Sequence, residues 1–244
     1  KEEISKLIRE NFDIHKHRSV FVSSNEEHIQ DVYFLESADK ISYFIEKEKD
    51  GAKSNSDGRF IMNKVGHALH ENEVFKKFSF SPKIYQIAKQ VAGFQQPTIV
   101  QSMYIFKPPF IGGEVSAHRD NSFILTRNKP NLGLWFPMED ATIKNGCLWG
   151  VPGSHKWGLA TRWERSSLDN QKNKMEFVDL ISDQKEREEY KKRDEEAQYV
   201  PIEMKAGSVI LLHGHFLHKS YKNDSDKSRE AYTLHLVDLP DYDE

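Results

Sequence analysis

The chain has very little cysteine, since Cys147 is the only one among 244 residues. A single thiol excludes an intrachain disulfide framework, and a zinc site built from thiolates needs several sulfurs at close spacing. This composition fits a reducing compartment, so we expect a cytoplasmic protein. The chain begins at Lys1 rather than at methionine, so a preceding segment that carries a targeting signal is compatible with this expectation.

An excess of charge of one sign is also missing. The 35 Lys and Arg residues nearly balance the 38 Asp and Glu residues, which gives a net charge of −3, and both signs are spread along the chain. A surface that binds nucleic acid needs clustered basic residues that contact phosphates. We therefore expect no nucleic-acid partner.

Long apolar runs are absent as well. No stretch approaches the roughly 20 apolar residues that span a bilayer, and the start Lys1-Glu2-Glu3-Ile4 lacks the apolar core of a secretory signal. The sequence therefore predicts no membrane span. It also shows no evident exposed apolar stripe, so we expect a monomer.

Short runs of β-forming residues are what the sequence does contain from Thr98 onward. The predicted strands lie at 98–106, 115–120, 132–138, 148–151, 208–213 and 231–237. Two earlier runs, at 19–22 and 41–46, are also typical of strands, and a charged loop is predicted at 47–58. Short strands separated by Pro and Gly turns favour a double-stranded β-helix, that is, a cupin-like jelly roll.

Two helices are predicted before these strands. Ile4, Leu7 and Ile8 recur at helical spacing, and Ser81-Pro82 and Gly93 mark the start and the end of a second helix. The fold class is therefore mainly β with flanking helices (α+β).

The length predicts one domain over 1–244, with a charged insertion at 156–200 between core strands. Segment 184–196 is almost entirely charged, which is typical of a solvated helix or a mobile loop. Its position between core strands leaves two interpretations open. The insertion is either a lid over the site or an inert surface element.

The most informative motif is His118-x-Asp120. On a β-strand, residues i and i+2 point to the same face, so the imidazole and the carboxylate can bind one metal ion together. A second histidine from a distant strand would complete a two-His-one-carboxylate facial triad, which leaves coordination positions of Fe(II) open. From the residues alone, His213, His215 and His218 all qualify as that second histidine.

Arg229 follows this histidine group and precedes the last predicted strand. Its planar guanidinium can hold a terminal carboxylate through two parallel hydrogen bonds. A dicarboxylate cosubstrate such as 2-oxoglutarate fits this arrangement, with one end on the metal and the other on the arginine.

Several motifs around these residues resemble the phytanoyl-CoA dioxygenase family of Fe(II)- and 2-oxoglutarate-dependent oxygenases, and particularly its branch of domain-containing proteins. The resemblance runs in order from about residue 31 to residue 238. Its motifs are NKVGHALH at 63–70, QSMYIF at 101–106, GGEV at 112–115, EDAT at 139–142, NGCLW at 145–149, PGSH at 152–155, HG at 213–214 and HKS at 218–220.

The resemblance implies specific roles for residues of this chain. It implies that His118, Asp120 and His218 bind Fe(II) as the catalytic triad. His218 is the second histidine in this assignment, because its separation from Arg229 is the spacing of the family. It implies that Arg229 anchors 2-oxoglutarate. Four more residues match positions that line the cosubstrate pocket: Lys64, Met103, Trp135 and Ser220.

The same resemblance implies a dioxygenase that uses Fe(II), 2-oxoglutarate and O₂ and releases succinate and CO₂, with ascorbate supporting activity in vitro. Halogenating relatives lack the carboxylate ligand, so the presence of Asp120 favours hydroxylation. We expect a small or lipid-like organic molecule as the substrate.

Two other kinds of function stay open at this point. One is a catalytically silent protein of the same fold that binds metal and 2-oxoglutarate as a ligand or sensor. The other is a cupin-like binding module with no metal affinity. The remaining histidines of interest have simpler predicted roles: His67 and His70 pack or face solvent, His155 belongs to a turn, and His235 is a hydrogen-bonded core residue.

Overall fold

The computed structural model describes residues 1–13, 32–46, 62–166 and 175–242. The predicted strand at 19–22 and the loop at 47–58 lie outside these residues. The described helices are α1 (Glu2–Asn11), α2 (Val32–Leu35), α3 (Glu73–Ser79), α4 (Pro82–Val91) and α5 (Gln184–Glu195). The described strands are β1 (Ile41–Ile45), β2 (Met62–His67), β3 (Pro97–Ile105), β4 (Val115–His118), β5 (Leu132–Pro137), β6 (Leu148–Gly150), β7 (Thr161–Arg165), β8 (Met175–Asp179), β9 (Val200–Ile202), β10 (Ile210–His213), β11 (His218–Ser220) and β12 (Ala231–Asp238).

Ten of these strands form two antiparallel sheets. The larger sheet has the order β1-β2-β3-β12-β5-β10, and the smaller has the order β4-β11-β6-β9. Along the chain, β3, β4, β5 and β6 alternate between the two sheets, and so do β9, β10, β11 and β12. This alternation is that of a double-stranded β-helix, so the predicted fold class is confirmed.

Strand β12 shows how the sequence divides the two sides of the larger sheet. Tyr232, Leu234 and Leu236 belong to a buried apolar cluster together with residues of α1 and α4. Ala231 belongs to a second cluster, which also includes Trp135 of the neighbouring strand β5. Because side chains alternate along a strand, one face packs against the helices and the other faces the interior between the sheets.

The two predicted helices are confirmed. Ile4 and Ile8 of α1 are buried in the core, as their spacing predicts. Helix α4 begins after Ser81, with Pro82 in its first turn, although the Ser81 side chain makes no capping hydrogen bond. Gly93, just beyond its end, has φ +66°, a left-handed conformation that glycine adopts at little cost.

The described part of 156–200 contains more regular structure than its charge predicts. Strands β7 and β8 pair as a two-stranded antiparallel ribbon, and of the two alternatives predicted for 184–196 the structure shows the helix, α5. The single-domain organisation and the role of this stretch as a lid stay predictions. Within the described residues, no helix combines the length and the apolar character that crossing a bilayer requires.

Candidate metal centre

His118, Asp120 and His218 meet in the interior at one end of the smaller sheet. His118 is the last residue of β4, and it lies directly opposite His218, the first residue of β11. The Nε2 atoms of His118 and His218 are 3.5 Å and 3.8 Å from Asp120 Oδ1. Among the described residues, these three side chains form the one group of His, Cys, Asp or Glu whose ligand atoms all lie within 4.8 Å of one another.

The local backbone at Asp120 differs from the prediction. Strand β4 ends at His118, and Asp120 begins a 3-10 turn, so the shared strand face predicted for the pair is wrong. The turn still brings the carboxylate back to the imidazole. His218 begins a strand of the smaller sheet, whereas the preceding strand, which ends at His213, belongs to the larger sheet.

The two imidazoles are held in the tautomer that a metal site needs. His118 Nδ1 lies 2.8 Å from the Ser116 carbonyl oxygen, and His218 Nδ1 lies 2.9 Å from the Phe216 carbonyl oxygen. A carbonyl can only accept, so each Nδ1 carries the proton and donates it. The Nε2 atom of each ring, which lies toward Asp120, is therefore the nitrogen that can bind a metal, and this is the usual arrangement of metal-binding histidines.

Electrostatics set the protonation of the three groups. Burial opposes ionisation of Asp120, but His218 and the other imidazoles hold the pKa of this carboxyl well below its usual range. Burial, aided by His118, lowers the pKa of His218 to about 4. Burial would also lower the pKa of His118, but the neighbouring Asp120 carboxylate raises it above its usual value. An ionised carboxylate and a neutral His218 are thus the stable forms at neutral pH.

His235 of β12 is buried, as predicted, but its contact with Asp120 was not predicted. Its Nε2 atom is 3.5 Å from Asp120 Oδ2, the carboxylate oxygen that faces away from the other two histidines. Gly133 provides the space for this contact, because a Cβ at that position would lie 3.2 Å from Asp120 Oδ2. The apolar run around His235 predicts a buried strand but does not reveal which side of the sheet the histidine faces.

A cavity of about 680 Å³ opens over the centre. His118, Asp120 and His235 line its floor, together with Lys64 and Met103. An aromatic wall rises from this floor and includes two residues of the β7–β8 ribbon. Its members are Phe34, Phe123, Trp163 and Phe177, with ring centroids 5.9–6.0 Å apart for the Phe34–Trp163, Phe123–Trp163 and Phe123–Phe177 pairs.

The two predicted pocket residues that line this cavity come from adjacent strands. Met103 of β3 pairs with Gly66, and a Cβ at Gly66 would lie 2.6 Å from Met103 Cγ, so glycine is required there. Lys64 lies 5.1 Å and 5.0 Å from the ring centroids of Phe34 and Phe44. Burial lowers the pKa of Lys64 from 10.5 to about 7.

Trp135, Ser220 and Arg229 are buried in the interior but are not among the described residues that line the cavity. The Arg229 guanidinium carbon lies 5.3 Å from the Trp135 ring centroid, and Nε donates to the Gly146 carbonyl at 3.1 Å. Within the described residues, Arg229 Nη1 is buried and has no hydrogen-bond partner. Burial lowers the pKa of this guanidinium to about 10.

Lys107 joins Ser220 to this region, and the sequence motifs did not single it out. Its Nζ donates to Ser220 Oγ at 3.0 Å and to the carbonyl oxygens of Gly113 and Tyr221 at 2.6 Å and 2.5 Å. Burial first, and then repulsion from Arg229, hold the pKa of Lys107 well below its usual value. The Lys107 amine and the Arg229 guanidinium are therefore close enough in the interior to influence each other.

The other histidines lie apart from the triad. His213 is exposed, and its ring contacts those of His155 and His215. His155 lies in a 3-10 turn, as predicted. His67 and His70 are buried and hydrogen-bonded to Ser37 and Ser102, respectively.

Comparison with known proteins gives sequence relatives over most of the chain. The sequence profile described as phytanoyl-CoA dioxygenase (PhyH) matches residues 17–231. A phytanoyl-CoA dioxygenase of Arabidopsis thaliana is 45% identical over 223 residues, which cover 90% of this chain and 73% of that protein. Phytanoyl-CoA dioxygenase domain-containing protein 1 of Mus musculus is 40% identical over 233 residues, with coverages of 91% and 75%.

Solved structures share the fold at low sequence identity. AviO1 from Streptomyces viridochromogenes superposes with a TM-score of 0.57 at 18% identity, covering 86% of this chain and 77% of AviO1. EctD from S. alaskensis, solved with bound Fe, gives a TM-score of 0.55 at 19% identity, covering 81% of this chain and 64% of EctD. The alignments with EvdMO1 and EctD cover 39% and 64% of those chains, less than two thirds of their length. At these identities the likeness shows the fold.

Proposed function

The chain belongs to the phytanoyl-CoA dioxygenase family, and from this premise we propose that it is an Fe(II)- and 2-oxoglutarate-dependent dioxygenase that hydroxylates an apolar organic substrate. One observation carries the proposal: His118 Nε2, His218 Nε2 and Asp120 Oδ1 converge within 4.8 Å. Two imidazoles and one carboxylate are the donor set of non-haem Fe(II) oxygenases.

The donor set fits Fe(II) in protonation as well as in type. Both histidines donate Nδ1–H to backbone carbonyls and turn Nε2 toward Asp120, which supplies a negative charge. When bound, Fe(II) and 2-oxoglutarate supply the oxidative chemistry, in which O₂ is consumed, succinate and CO₂ are released, and a C–H bond of the substrate is hydroxylated. The chain itself supplies ligand geometry, charge and a dry site.

Arg229 is proposed to bind the distal carboxylate of 2-oxoglutarate. A buried guanidinium nitrogen without a hydrogen-bond partner is costly, and a carboxylate would satisfy it. Trp135 covers the guanidinium, and Lys107 donates a hydrogen bond to Ser220 Oγ. A buried guanidinium with an unpaired nitrogen favours an anionic ligand over a neutral one.

Lys64 and Met103 are proposed to complete the cosubstrate pocket from the other side. Both line the cavity above the three converging atoms. Lys64 carries its positive charge only around or below pH 7, because burial lowers its pKa to about 7. Met103 provides an apolar surface that keeps water from this side of the metal centre.

The cavity supports a small or lipid-like apolar substrate. Phe34, Phe123, Trp163 and Phe177 form its upper wall, and aromatic faces favour apolar chains and rings. The ring of Phe123 is 6.2 Å from that of His118, so a substrate lying on this wall reaches the metal centre.

Anaerobic addition of Fe(II) and then 2-oxoglutarate to the purified protein tests the proposed site. We expect a visible absorption band from the complex of Fe(II) with the 2-oxo acid, saturating at one equivalent. His118→Ala should give no band and should keep its far-UV circular dichroism, because a cavity ligand adds little to the core. A wild-type protein without the band, or a His118→Ala variant that retains it, would contradict the proposed ligand set.

The second candidate function is the catalytically silent protein that binds metal and 2-oxoglutarate. The buried Arg229 Nη1 atom, which has no hydrogen-bond partner in the described structure, favours ligand binding in the dioxygenase and in the silent protein alike. This observation therefore does not distinguish the two functions. Formation of succinate from 2-oxoglutarate separates them, because a silent protein gives the absorption band but no succinate.

A further inference from the structure

Arg119, the residue between the two proposed ligands His118 and Asp120, points away from the metal centre and joins α5. Its Nη1 and Nη2 atoms donate to the two carboxylate oxygens of Asp194, both at 2.8 Å. The guanidinium also lies 5.1 Å from the centre of the Tyr190 ring. Tyr190 and Asp194 are four residues apart on α5, so both face Arg119 from one side of the helix.

Helix α5 has few other contacts that could hold it in place. Tyr190 is its only buried residue, and its sequence, QKEREEYKKRDE, lacks an apolar face. In the described structure its further contacts are polar or ring contacts: Tyr190 hydroxyl to the Gly158 carbonyl, the Arg193 guanidinium over Trp157, and Arg187 to Asp179. The two parallel hydrogen bonds between Arg119 and Asp194 are therefore a principal attachment of the helix.

Arg119 is itself well shielded, since its side chain is only 7% exposed. A buried guanidinium is costly unless it is paired, and Asp194 is the partner that neutralises it. Without Asp194, a positive charge would lie one residue from both His118 and Asp120, at a centre that is proposed to bind a dication.

We propose that Arg119, Tyr190 and Asp194 form a latch through which α5 positions the His118–Asp120 turn for metal binding. The inference rests on the proposed function, because it takes His118 and Asp120 as metal ligands. The latch acts in two ways. It fixes the side chain of the residue that joins the two ligands, and it neutralises the buried charge of that residue. Arg119, Tyr190 and Asp194 are positioning residues, since none of them touches the metal.

The latch makes metal binding and the docking of α5 depend on each other. If the docked helix favours the metal-binding geometry of the turn, then bound metal must favour the docked helix by the same factor. The charged stretch at 184–196 therefore contributes to the free energy of metal binding, although it lies outside the cavity.

Co(II) titration of the purified protein and of two α5 variants tests the latch. Asp194→Asn removes the charge and one acceptor, and Glu195→Gln makes the same chemical change at the exposed neighbouring position. Changes to residues that orient metal ligands typically weaken binding by about 10–100-fold, and the latch acts one step further out, so we expect about tenfold weaker Co(II) binding for Asp194→Asn. Glu195→Gln should bind like the wild type, and Asp194→Glu should recover part of the loss.

Two further readouts separate positioning from loss of folding. The visible Co(II) spectrum, which reports coordination geometry, should change in Asp194→Asn, while the unfolding midpoint without metal should stay close to that of Glu195→Gln. Amide hydrogen exchange over 184–195 should slow when Co(II) binds to the wild type, but not in Asp194→Asn. If Asp194→Asn binds Co(II) with the same affinity and the same visible spectrum as the wild type, the latch is overturned. A wild type that binds no Co(II) would overturn the proposed metal site itself.

Discussion

Arg229 is buried in the interior, with one nitrogen of its guanidinium bonded and another without a partner in the described structure. If this nitrogen binds the distal carboxylate of 2-oxoglutarate, removing it leaves the ligand charge unpaired in a buried site. We expect Arg229→Ala to weaken 2-oxoglutarate binding by about 2–5 kcal/mol, measured by anaerobic calorimetry in the presence of Mn(II). Arg229→Lys keeps the charge but lacks the planar guanidinium, so its affinity for 2-oxoglutarate should lie between those of the wild type and Arg229→Ala.

The control for Arg229 is metal affinity, which should not change in Arg229→Ala because the guanidinium is not part of the donor set. Urea unfolding of the same variant shows whether the loss of a buried side chain has disturbed the fold. Unchanged affinity for 2-oxoglutarate in a folded Arg229→Ala protein would rule out its role as the anchor.

Lys64 predicts a specific pH dependence of cosubstrate binding. Burial lowers its pKa to about 7, so the lysine loses its charge as the pH rises above 7 in the free protein. A carboxylate binds the charged form, so binding should be accompanied by proton uptake, and the affinity for 2-oxoglutarate should fall between pH 7 and pH 9. Lys64→Met should bind more weakly at pH 6.5, with little further change up to pH 9. A wild-type affinity that is flat over this range would contradict the role of Lys64.

Burial of Lys64 also makes the free energy of unfolding depend on pH. Between about pH 7 and its ordinary value of 10.5, the unfolded chain holds a proton on Lys64 that the folded chain lacks. Stability therefore rises with pH across this window, and the cost of burying the charged lysine is fully present below about pH 7. Replacing Lys64 by methionine should reduce this rise in urea unfolding measured at pH 6.5 and pH 9, with Lys83→Met on the surface of α4 as the control.

At the residue scale, spacing in the sequence predicted which side chains would lie together, but not the backbone structure and the contacts that bring them together. His118, Asp120, His218 and Arg229 could be singled out because their chemistry and separation form a pattern. The roles of His235 and Lys107 could not, since each depends on partners that are distant in sequence: Asp120 for the first, and Ser220 and Tyr221 for the second.

At the scale of elements, adjacent strands β5 and β12 support the carboxylate of Asp120. Glycine at 133 leaves room, and His235 directly across from it faces Oδ2 of Asp120. A hydrogen bond from His235 Nε2 would orient the carboxylate, so we expect His235→Leu to weaken Co(II) binding by about tenfold or more. His235→Gln, which keeps an N–H donor, should lose less. Equal Co(II) affinities of both variants and the wild type would show that His235 contributes packing alone and does not orient the Asp120 carboxylate.

Element boundaries were the least predictable feature of the site. The end of β4 at His118 depends on the 3-10 turn at Asp120, whose Asn121 N–H donates to the distant Gly214 carbonyl. The β7–β8 ribbon was missed because most of its residues are charged or polar. Its apolar residues Trp163, Met175 and Phe177 line the cavity, together with Glu164 and Arg165, so the substrate wall could not be predicted from hydrophobic periodicity.

At the scale of the whole molecule, the double-stranded β-helix brings the site together from distant parts of the chain. His118 and His218 are 100 residues apart in sequence, and adjacent antiparallel strands of the smaller sheet place them opposite each other. The inward faces of β2, β3, β5 and β12 add residues from the larger sheet. The fold class was predictable because short strands between turns, preceded by helices, permit few architectures. The single-domain organisation, the monomeric state and the cytoplasmic location stay predictions.

Succinate formation from 2-oxoglutarate is the most direct measurement of the proposed activity. Purified protein would be incubated with Fe(II), O₂ and ascorbate, first alone and then with a panel of apolar carboxylic acids and aromatic compounds that fit a cavity of about 680 Å³. We expect slow succinate release without substrate, faster release with a compound that binds the aromatic wall, and none from His118→Ala. Succinate at the level of His118→Ala under every condition, from a protein that binds Fe(II) and 2-oxoglutarate, would contradict the oxygenase and favour the silent binding protein.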